Sequence, residues 1–251
     1  MCQQEPLKDK VALITGGAGN IGSITALSLA QLGARVVLTD IQEEAKIQEV
    51  IDRLPGKGHL AIQSAVDNTE DWKQTAVKVQ EKYGSLDLLM NNAGYTRFAA
   101  PDDLDSLDDE LIDKIFQINW RGAYAGVRVM KNLLANNDGG VVVNISSIAG
   151  LTAIGSNIAY CASKSALNTM TMALGRSLAP AIRVASIAPG LVEGEYSKKL
   201  DQDWCEEQTQ LTPLKRLTQA QDVADAVIAI MTLLKFSTGF VLPVDGGRPL
   251  T

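Results

Sequence analysis

A tyrosine and a lysine four residues apart, Tyr160 and Lys164, are the pair of side chains best suited to chemistry in this 251-residue sequence. In a helix this spacing places them one turn apart on the same face. Tyrosine normally titrates near ~10, and a neighbouring ammonium group favours the phenolate, which lowers the tyrosine pKa towards the neutral range. The pair therefore predicts a general acid/base, although an ordinary surface helix can carry the same spacing by chance.

Ser147 is a third candidate, because it follows directly on the apolar run of residues 141–145. A hydroxyl at the end of a strand can hydrogen-bond the same substrate oxygen that the tyrosine protonates. The sequence thus predicts an active site made of Ser147, Tyr160 and Lys164, provided that the fold brings a strand end and a helix together.

A glycine-rich turn, residues 16–22, separates the first predicted strand from the first predicted helix. Glycines there let the backbone approach a pyrophosphate, which the helix N-terminus stabilises. Asp40 ends the next predicted strand, eighteen residues after Gly22, where its carboxylate can accept both ribose hydroxyls of NAD. A compatible alternative makes Asp40 the N-cap of the following helix. The pattern predicts a dinucleotide-binding βαβ unit.

Apolar runs alternate with helical patterns along the whole chain. The predicted strands are residues 11–15, 35–39, 60–65, 86–90, 141–145, 183–187 and 240–244, and the predicted helices are 21–32, 41–54, 70–83, 109–134, 159–179 and 223–234. This alternation implies right-handed crossovers and a sheet covered on both faces. We predict an α/β fold: a single doubly wound Rossmann-fold domain, residues 1–251, with a mostly parallel seven-stranded sheet. The length also allows two smaller domains, but no linker or repeat divides the chain.

In such a sheet, ligands bind outside the carboxyl ends of the strands. The predicted ends are the glycine turn, Asp40, Asn92-Ala93-Gly94, Ser147 and Ala188-Pro189-Gly190. All of them, with the start of the Tyr160 helix, are expected to face one crevice. This convergence favours an active site over a chance Tyr-Lys spacing.

Composition excludes several other classes of function. A net charge of −6 without a Lys/Arg cluster argues against nucleic-acid binding. No stretch reaches the ~20 apolar residues that span a bilayer, and the polar first ten residues lack a signal core, so we expect a cytoplasmic protein. The widely spaced Cys2, Cys161 and Cys205, with the single His59, predict neither a disulfide framework nor a metal site.

The motifs in this order resemble those of the short-chain dehydrogenases/reductases, in the branch of about this length, from Lys10 to Gly247. The resemblance is carried by the glycine turn, Asn91-Asn92-Ala93-Gly94, Asn119, Ser147, Tyr160, Lys164, Pro189-Gly190 and Val244-Asp245-Gly246-Gly247. It implies that Tyr160 exchanges the proton, that Ser147 steadies the substrate oxygen, and that Lys164 binds the nicotinamide ribose. It also implies that the backbone of Asn119 holds a water in a proton relay to Lys164. From the residues alone, Asn119 is a mid-helix polar residue or a kink.

The resemblance further implies a set of contacts to NAD. These are Gly16, Asn20, Ile21, Gly22, Asp40, Val66, Asn92, Ala93, Gly94, Tyr160, Lys164, Pro189, Gly190 and Val192. Four positions depart from the family pattern, one of them Ala185 in place of an asparagine common before the Pro-Gly strand end. Asn20 replaces a glycine and is expected to add a polar contact to the pyrophosphate. Ala65 replaces an acid that holds the adenine, with Asp67 two positions later. Gly194 replaces a threonine that often meets the carboxamide.

The function predicted in this way is NAD(H)-dependent interconversion of a secondary alcohol and a ketone. One alternative is a 3-oxoacyl-acyl-carrier-protein reductase, which usually prefers NADP(H) and needs a basic docking patch; the sequence offers only Arg97, Arg121 and Arg128. The other is a non-catalytic dinucleotide-binding protein, which need not retain Ser147, Tyr160, Lys164 and Asn119 together. The apolar pocket candidates favour a hydrophobic or cyclic ketone: Tyr95, Phe98, Leu151, Ala153 and Ile154.

Two further predictions concern the surface. Residues 193–218 are polar but carry Tyr196, Leu200 and Trp204, which suits either a flap over the substrate or a solvated excursion. The helices at 109–134 and 159–179 are apolar on more than one face, which favours burial or pairing with another subunit. The family resemblance favours a homotetramer of two-fold symmetry, with residues 244–251 at a second interface.

Overall fold

The structure of the protein is a computed structural model that describes residues 5–136, 139–194 and 197–250. Predictions that involve Cys2, Tyr196 and Thr251 lie outside the described residues.

Seven strands form one sheet in the order β3-β2-β1-β4-β5-β6-β7, and every pair of neighbours is parallel. Their bounds are β1 Val11–Thr15, β2 Arg35–Asp40, β3 Leu60–Gln63, β4 Leu88–Asn91, β5 Gly140–Ile145, β6 Ile182–Pro189 and β7 Phe240–Val244. The order reverses between β1 and β4, which makes that point the natural site for a ligand. The predicted doubly wound α/β fold is confirmed.

Helices connect the strands and cover both faces of the sheet. Their bounds are α1 Asn20–Gln31, α2 Glu44–Ile51, α3 Thr69–Tyr83, α4 Asp109–Phe116, α5 Ala123–Ala135, α6 Ala149–Thr152, α7 Ile158–Ser177, α8 Gln202–Leu211 and α9 Ala220–Thr232. Within the described part of the chain, none of the helices is long and apolar enough to cross a membrane.

Alternate residues of each strand pack into two separate cores. On β1, Ala12 and Ile14 pack into the core that includes α1, α2 and α9, whereas Val11 and Leu13 pack into the core that includes α3 and α5. Because both faces are buried, the strand is apolar throughout, which is why its bounds could be predicted without error. Polar residues and glycines follow the strands at their carboxyl ends, where the buried core stops.

Four predicted segments differ most from the structure, beyond shifts of a few residues at other element ends. The helix predicted at 41–54 begins only at Glu44, and the strand predicted at 60–65 ends at Gln63. The single helix predicted at 109–134 is interrupted by a π-helical turn, Gln117–Gly122, which contains Asn119. The predicted irregular segment 193–218 contains α8, whose N-cap Asp201 accepts a hydrogen bond from Trp204 N at 2.9 Å.

A row of buried polar side chains crosses the sheet close to its carboxyl edge. Asn91 Nδ2 on β4 donates to Asn144 Oδ1 on β5 at 2.8 Å, and Asn144 Nδ2 donates to Thr171 Oγ1 on α7 at 2.8 Å. Thr171 Oγ1 also lies 2.7 Å from Ser186 Oγ on β6. These hydrogen bonds tie α7 to three strands.

The apolar faces of the two long helical segments are largely used within the chain itself. Ala123, Ala125, Val127, Met130 and Met170 are buried in its own cores. Packing within the chain therefore accounts for much of the apolar character of these helices, for which the sequence left open burial or pairing with another subunit.

Candidate active site

The glycine turn between β1 and α1 is too crowded for side chains. A Cβ on Gly22 would lie 2.4 Å from Gly16 O, and one on Gly16 would lie 3.0 Å from Asn92 Nδ2. Gly16 also has a φ of 63°, which glycine adopts without strain. Ile21 follows in the first turn of α1. The turn thus presents bare backbone and a helix N-terminus, the combination that binds a pyrophosphate.

Thr15 and Asn92 fasten this turn to the end of β4. Thr15 Oγ1 accepts hydrogen bonds from Asn92 N and Ala93 N, both at 3.0 Å. Asn92 Nδ2 donates in turn to Thr15 O at 2.8 Å and Gly16 O at 3.0 Å. The Asn92 side chain therefore holds the glycine turn itself. Thr15 was not singled out by the sequence, because a threonine inside a β-rich run is ordinary strand composition.

Asp40 is buried at the end of β2, beside the glycine turn. Its Oδ2 accepts from Ala18 N at 3.0 Å and its Oδ1 from Gln42 N at 3.1 Å. The proposed N-cap role is wrong, because α2 begins at Glu44 with Glu43 as its N-cap. A carboxylate oxygen can accept more than one hydrogen bond, so both oxygens retain capacity for the hydroxyls of a ribose.

Lys164 lies at the centre of the crevice, on α7. Its ammonium Nζ donates to Ile145 O at 2.8 Å and lies 5.7 Å from the centre of the Tyr160 ring. Ser146 Oγ donates to Lys164 O at 3.2 Å, so the end of β5 holds the lysine at two points. Burial lowers the pKa of Lys164 to about 8 because it disfavours the charged form. The lysine is therefore mainly protonated at neutral pH.

Ser147 follows this attachment point and lies two residues before the short helix α6. Its Oγ accepts from Ala149 N at 3.1 Å. A Cβ on Gly150 would lie 2.7 Å from Lys164 C, so α6 packs directly on α7 at the level of the lysine. The structure thus brings the Ser147 turn to the segment that carries Tyr160 and Lys164.

Asn119 lies in the π-helical turn and faces the same place. A Cβ on Gly94 would lie 3.5 Å from Asn119 Oδ1 and 3.6 Å from Lys164 Nζ. The Asn119 side chain accepts from Tyr95 N at 2.7 Å and donates to Tyr95 O at 3.0 Å and to Ser163 Oγ at 3.1 Å. A π-helical turn therefore interrupts the helix at Asn119, and Asn119 connects the end of β4 to α7.

The start of the Tyr160 helix is held by Asn157, a residue that the sequence analysis missed. Asn157 Oδ1 accepts from Tyr160 N at 2.7 Å, and its Nδ2 donates to Arg97 O at 2.7 Å. An asparagine directly before an apolar helix is an N-cap signal and could have been found. It aligns the helix with the segment that follows β4.

Near the expected adenine position, the acidic side chains are already bound to other parts of the chain. Asp67 Oδ2 accepts from Lys114 Nζ at 2.9 Å, and this bond holds the pKa of Asp67 below its usual range. Ala65 N donates to Asp71 Oδ2 at 2.8 Å. Val66 packs on the π-helical turn, where a Cβ on Gly122 would lie 2.9 Å from Val66 O.

The strand end at Pro189-Gly190 borders the other side of the crevice. Pro189 O accepts from Ile148 N at 3.0 Å, next to Ser147, and Gly190 N donates to Val244 O at 3.0 Å. Val192 forms an isolated parallel bridge with Thr218. Both ends of the 193–218 segment therefore start from this side of the site. No group of metal-ligating side chains occurs among the described residues.

Comparisons with known proteins agree with this geometry. Residues 16–248 match a family model described as enoyl-(acyl carrier protein) reductase. The chain is 33% identical over 245 residues to the 3-oxoacyl-[acyl-carrier-protein] reductase FabG of Thermotoga maritima, covering 96% of this chain and 98% of the relative. It is 31% identical over 247 residues to the NAD-dependent glycerol dehydrogenase of Listeria innocua, covering 96% and 94%. A short-chain dehydrogenase/reductase structure from Brucella melitensis, described as SDR:Glucose/ribitol dehydrogenase, superposes with a TM-score of 0.90 at 27% identity, covering 96% and 97%.

Proposed function

Because the chain belongs to the short-chain dehydrogenase/reductase family of oxidoreductases, which bind a nicotinamide dinucleotide, we propose that it interconverts a secondary alcohol and a ketone with NAD(H). The observation that carries the proposal is the buried ammonium of Lys164, 5.7 Å from the centre of the Tyr160 ring at the carboxyl edge of the sheet. A phenol beside a buried cation is a suitable proton carrier at neutral pH.

Each residue of the site has its own role in this reaction. The bound nicotinamide supplies the hydride in reduction and accepts it in oxidation. In reduction, the hydride forms a new C–H bond to the carbonyl carbon, and the electron pair of the C=O π bond moves to the oxygen. Tyr160 gives its hydroxyl proton to that oxygen, which completes the O–H bond of the alcohol. Tyr160 then regains a proton from solvent. Ser147 orients the substrate oxygen, and Lys164 stabilises the transient phenolate.

Three features fit a nicotinamide dinucleotide, and the last two of them favour one without a 2′-phosphate. The glycine turn leaves no space for a Cβ at Gly22, so backbone alone faces the pyrophosphate. The carboxylate of Asp40 lies at the end of β2, where it suits the hydroxyls of the adenosine ribose. The relative from Listeria innocua is named as NAD-dependent, which supports the same choice.

The rim of the crevice favours an apolar substrate. The side chains of Phe98, Leu151 and Ile154, in the segments that follow β4 and Ser147, are all exposed, and so is Trp204 on α8. The segment of Phe98 is joined to the start of α7 by the bond from Ala99 N to Ser156 O at 3.0 Å. Exposed apolar side chains on neighbouring segments mark a binding surface, so we infer a hydrophobic or cyclic ketone, with α8 as part of a flap over it.

A 3-oxoacyl-acyl-carrier-protein reductase is the second candidate, and the similarity to the Thermotoga maritima reductase supports it. Its acidic carrier would need a basic surface. Arg97 is paired with Asp108 at 3.3 Å, and Arg121 donates to Asp67 O at 3.3 Å. Arg128 lies over the ring of Tyr124. This surface is less basic than the count of arginines suggests.

A substrate screen tests the proposal and separates the candidates. Purified protein is supplied with NADH and a panel of aliphatic, cyclic and sugar ketones, together with a 3-oxoacyl thioester, and NADH absorbance is followed. We expect turnover with apolar cyclic or long-chain ketones. Turnover of the thioester alone, with NADPH preferred, would support the second candidate, and no turnover of any carbonyl compound would contradict the proposal.

We also propose that the protein is a homotetramer. Leu233, Phe236 and Leu250 are among its most exposed large apolar side chains, and they lie at the end of α9, before β7 and in the C-terminal turn. Exposed apolar side chains at an open sheet edge favour an interface. Light scattering at micromolar concentration should give four times the chain mass. A monomer mass would refute the assembly.

A further inference from the structure

Two departures from the family pattern, Asn20 and Gly194, lie against each other in space although 174 residues separate them in the sequence. A Cβ built on Gly194 would lie 2.5 Å from Asn20 Nδ2 and 3.1 Å from its Cγ. The side chain of Asn20 thus occupies the volume that any side chain at position 194 would need.

The contact is also a hydrogen bond. Asn20 Nδ2 donates to Glu193 O at 2.8 Å. Glu193 N donates to Thr218 O at 2.8 Å, and Thr218 Oγ1 donates to Val244 O at 3.0 Å. The amide of Asn20 therefore joins the first turn of α1 to the point where the two ends of the 193–218 segment meet.

The same contact continues into the segment itself. Gly194 N donates to Ser197 Oγ at 2.9 Å, and Ser197 Oγ donates back to Gly194 O at 3.0 Å. The buried Ser197 accepts from Cys205 Sγ of α8 at 3.6 Å. Trp204, the neighbour of that cysteine on α8, is exposed. A short path of contacts thus connects the glycine turn to α8.

We propose that Asn20 is a positioning residue that fastens the start of the 193–218 segment to the glycine turn, and that position 194 must be glycine to accommodate it. Asn20 then acts on the substrate through α8, in addition to any contact with the pyrophosphate. The inference rests on the proposed function only for its effect on the substrate; the attachment itself is a property of the chain without cofactor.

Trypsin provides a test that needs neither cofactor nor activity, because Lys198 and Lys199 lie within the fastened segment. Cleavage after them is measured by mass spectrometry, with cleavage inside α3 at Lys73 and Lys78 as the internal reference for global unfolding. Asn20→Ala should accelerate cleavage at 198 and 199 about tenfold, within the range of single hydrogen-bonded contacts. Ser23→Ala, which removes a hydroxyl from the same turn of α1, should leave it unchanged.

A double-mutant cycle tests the pairing. Gly194 does not have a positive φ, so its backbone accepts alanine and only the Asn20 side chain opposes the new Cβ. Gly194→Ala alone should therefore also accelerate cleavage about tenfold, whereas adding it to Asn20→Ala should change the rate less than about twofold. Independent, multiplying effects would overturn the proposal, as would unchanged cleavage in Asn20→Ala.

The same variants separate positioning from direct cofactor binding. If Asn20 positions the segment, Asn20→Ala should raise the KM for the ketone about tenfold while the Kd for NADH changes less than about threefold. A weakened Kd for NADH with unchanged cleavage would show that Asn20 is only a cofactor ligand. Failure to bind NADH in any variant would contradict the proposed function but leave the cleavage result to decide the attachment.

Discussion

Tyr160→Phe should lower turnover by about 10² or more, the usual scale for the loss of general acid–base catalysis. The ring remains, so the contact with Lys164 and the hydrogen bond from the backbone N of residue 160 to Asn157 are preserved. Only the hydroxyl group, with its exchangeable proton, is lost. Turnover is measured with NADH and the best ketone of the screen, and the Kd for NADH is measured by fluorescence.

The fold and the cofactor site should be unaffected, so the Kd for NADH should stay within about twofold of the parent value. Tyr124→Phe is a matched control, since it removes the hydroxyl of an exposed tyrosine on α5. Near-normal turnover of Tyr160→Phe would show that another group moves the proton.

The choice of NAD over NADP should depend on Asp40. The phosphate of NADP would occupy the place where the carboxylate meets the ribose. Two unit negative charges ~4 Å apart repel by about 4 kcal/mol at an effective dielectric near 20. Allowing for partial screening, and adding roughly 1 kcal/mol for lost hydrogen bonds, kcat/KM should favour NADH by about one to two orders of magnitude.

A lysine or arginine beside the 2′-phosphate could reverse this preference, but the sequence around Asp40 offers none. Neither the glycine turn nor residues 41–44 contain lysine or arginine, and Arg35, paired with Asp9, begins β2 at its other end. Asp40→Ala should relax the preference, and adding Ile41→Arg at an exposed position should turn it towards NADPH. For both variants, the measurement is the ratio of kcat/KM with NADH to kcat/KM with NADPH.

The structural cost of Asp40→Ala must be separated from the charge effect, because the carboxylate accepts from Ala18 N and Gln42 N. Asp40→Asn keeps an acceptor at this position without the charge. If repulsion decides the preference, the asparagine variant should relax it as well. An unmodified protein that uses NADPH as well as NADH would show that this role of Asp40 is wrong.

The fold was largely predictable because each strand and helix has a local signal. The apolar run at 11–15 and the glycine turn after it gave β1 its bounds directly. The π-helical turn at 117–122 has no such signal. It is packed at Gly122 against Val66, and the following Gly126 is packed against the Trp72 ring, contacts between residues distant in the sequence. The helix α8 has a local signal, the N-cap Asp201, but its polar composition obscured it.

The residues of the candidate site also divide into those with a local sequence signal and those without one. Ser147, Tyr160 and Lys164 could be singled out by type and spacing, whereas Thr15 acts through bonds that only the folded chain reveals. Asn157 has a local N-cap signal, but its bond to Arg97 O is visible only in the fold. The sequence flagged Asn20 and Gly194 as two separate departures. Their mutual contact depends on how α1 and the end of β6 meet, which local patterns do not encode.

The polar row at the carboxyl edge has a consequence for how the strands find their alignment. Asn91 is the partner of Asn144 across β4 and β5, and Asn144 is the partner of Ser186 across β5 and β6. A slip of one residue would turn an amide to the opposite face and leave buried donors unsatisfied, costing about 1–3 kcal/mol for each.

An all-apolar strand offers much weaker resistance to such a slip, since one valine of β5 resembles the next. A one-residue slip also moves a strand end by about 3.3 Å, more than a hydrogen bond tolerates. Asn92 directly follows one member of the row, and Ser147 lies three residues after another. The row thus fixes how far each of these two residues lies beyond the sheet, so the alignment of the active site is decided inside the core, before any ligand arrives.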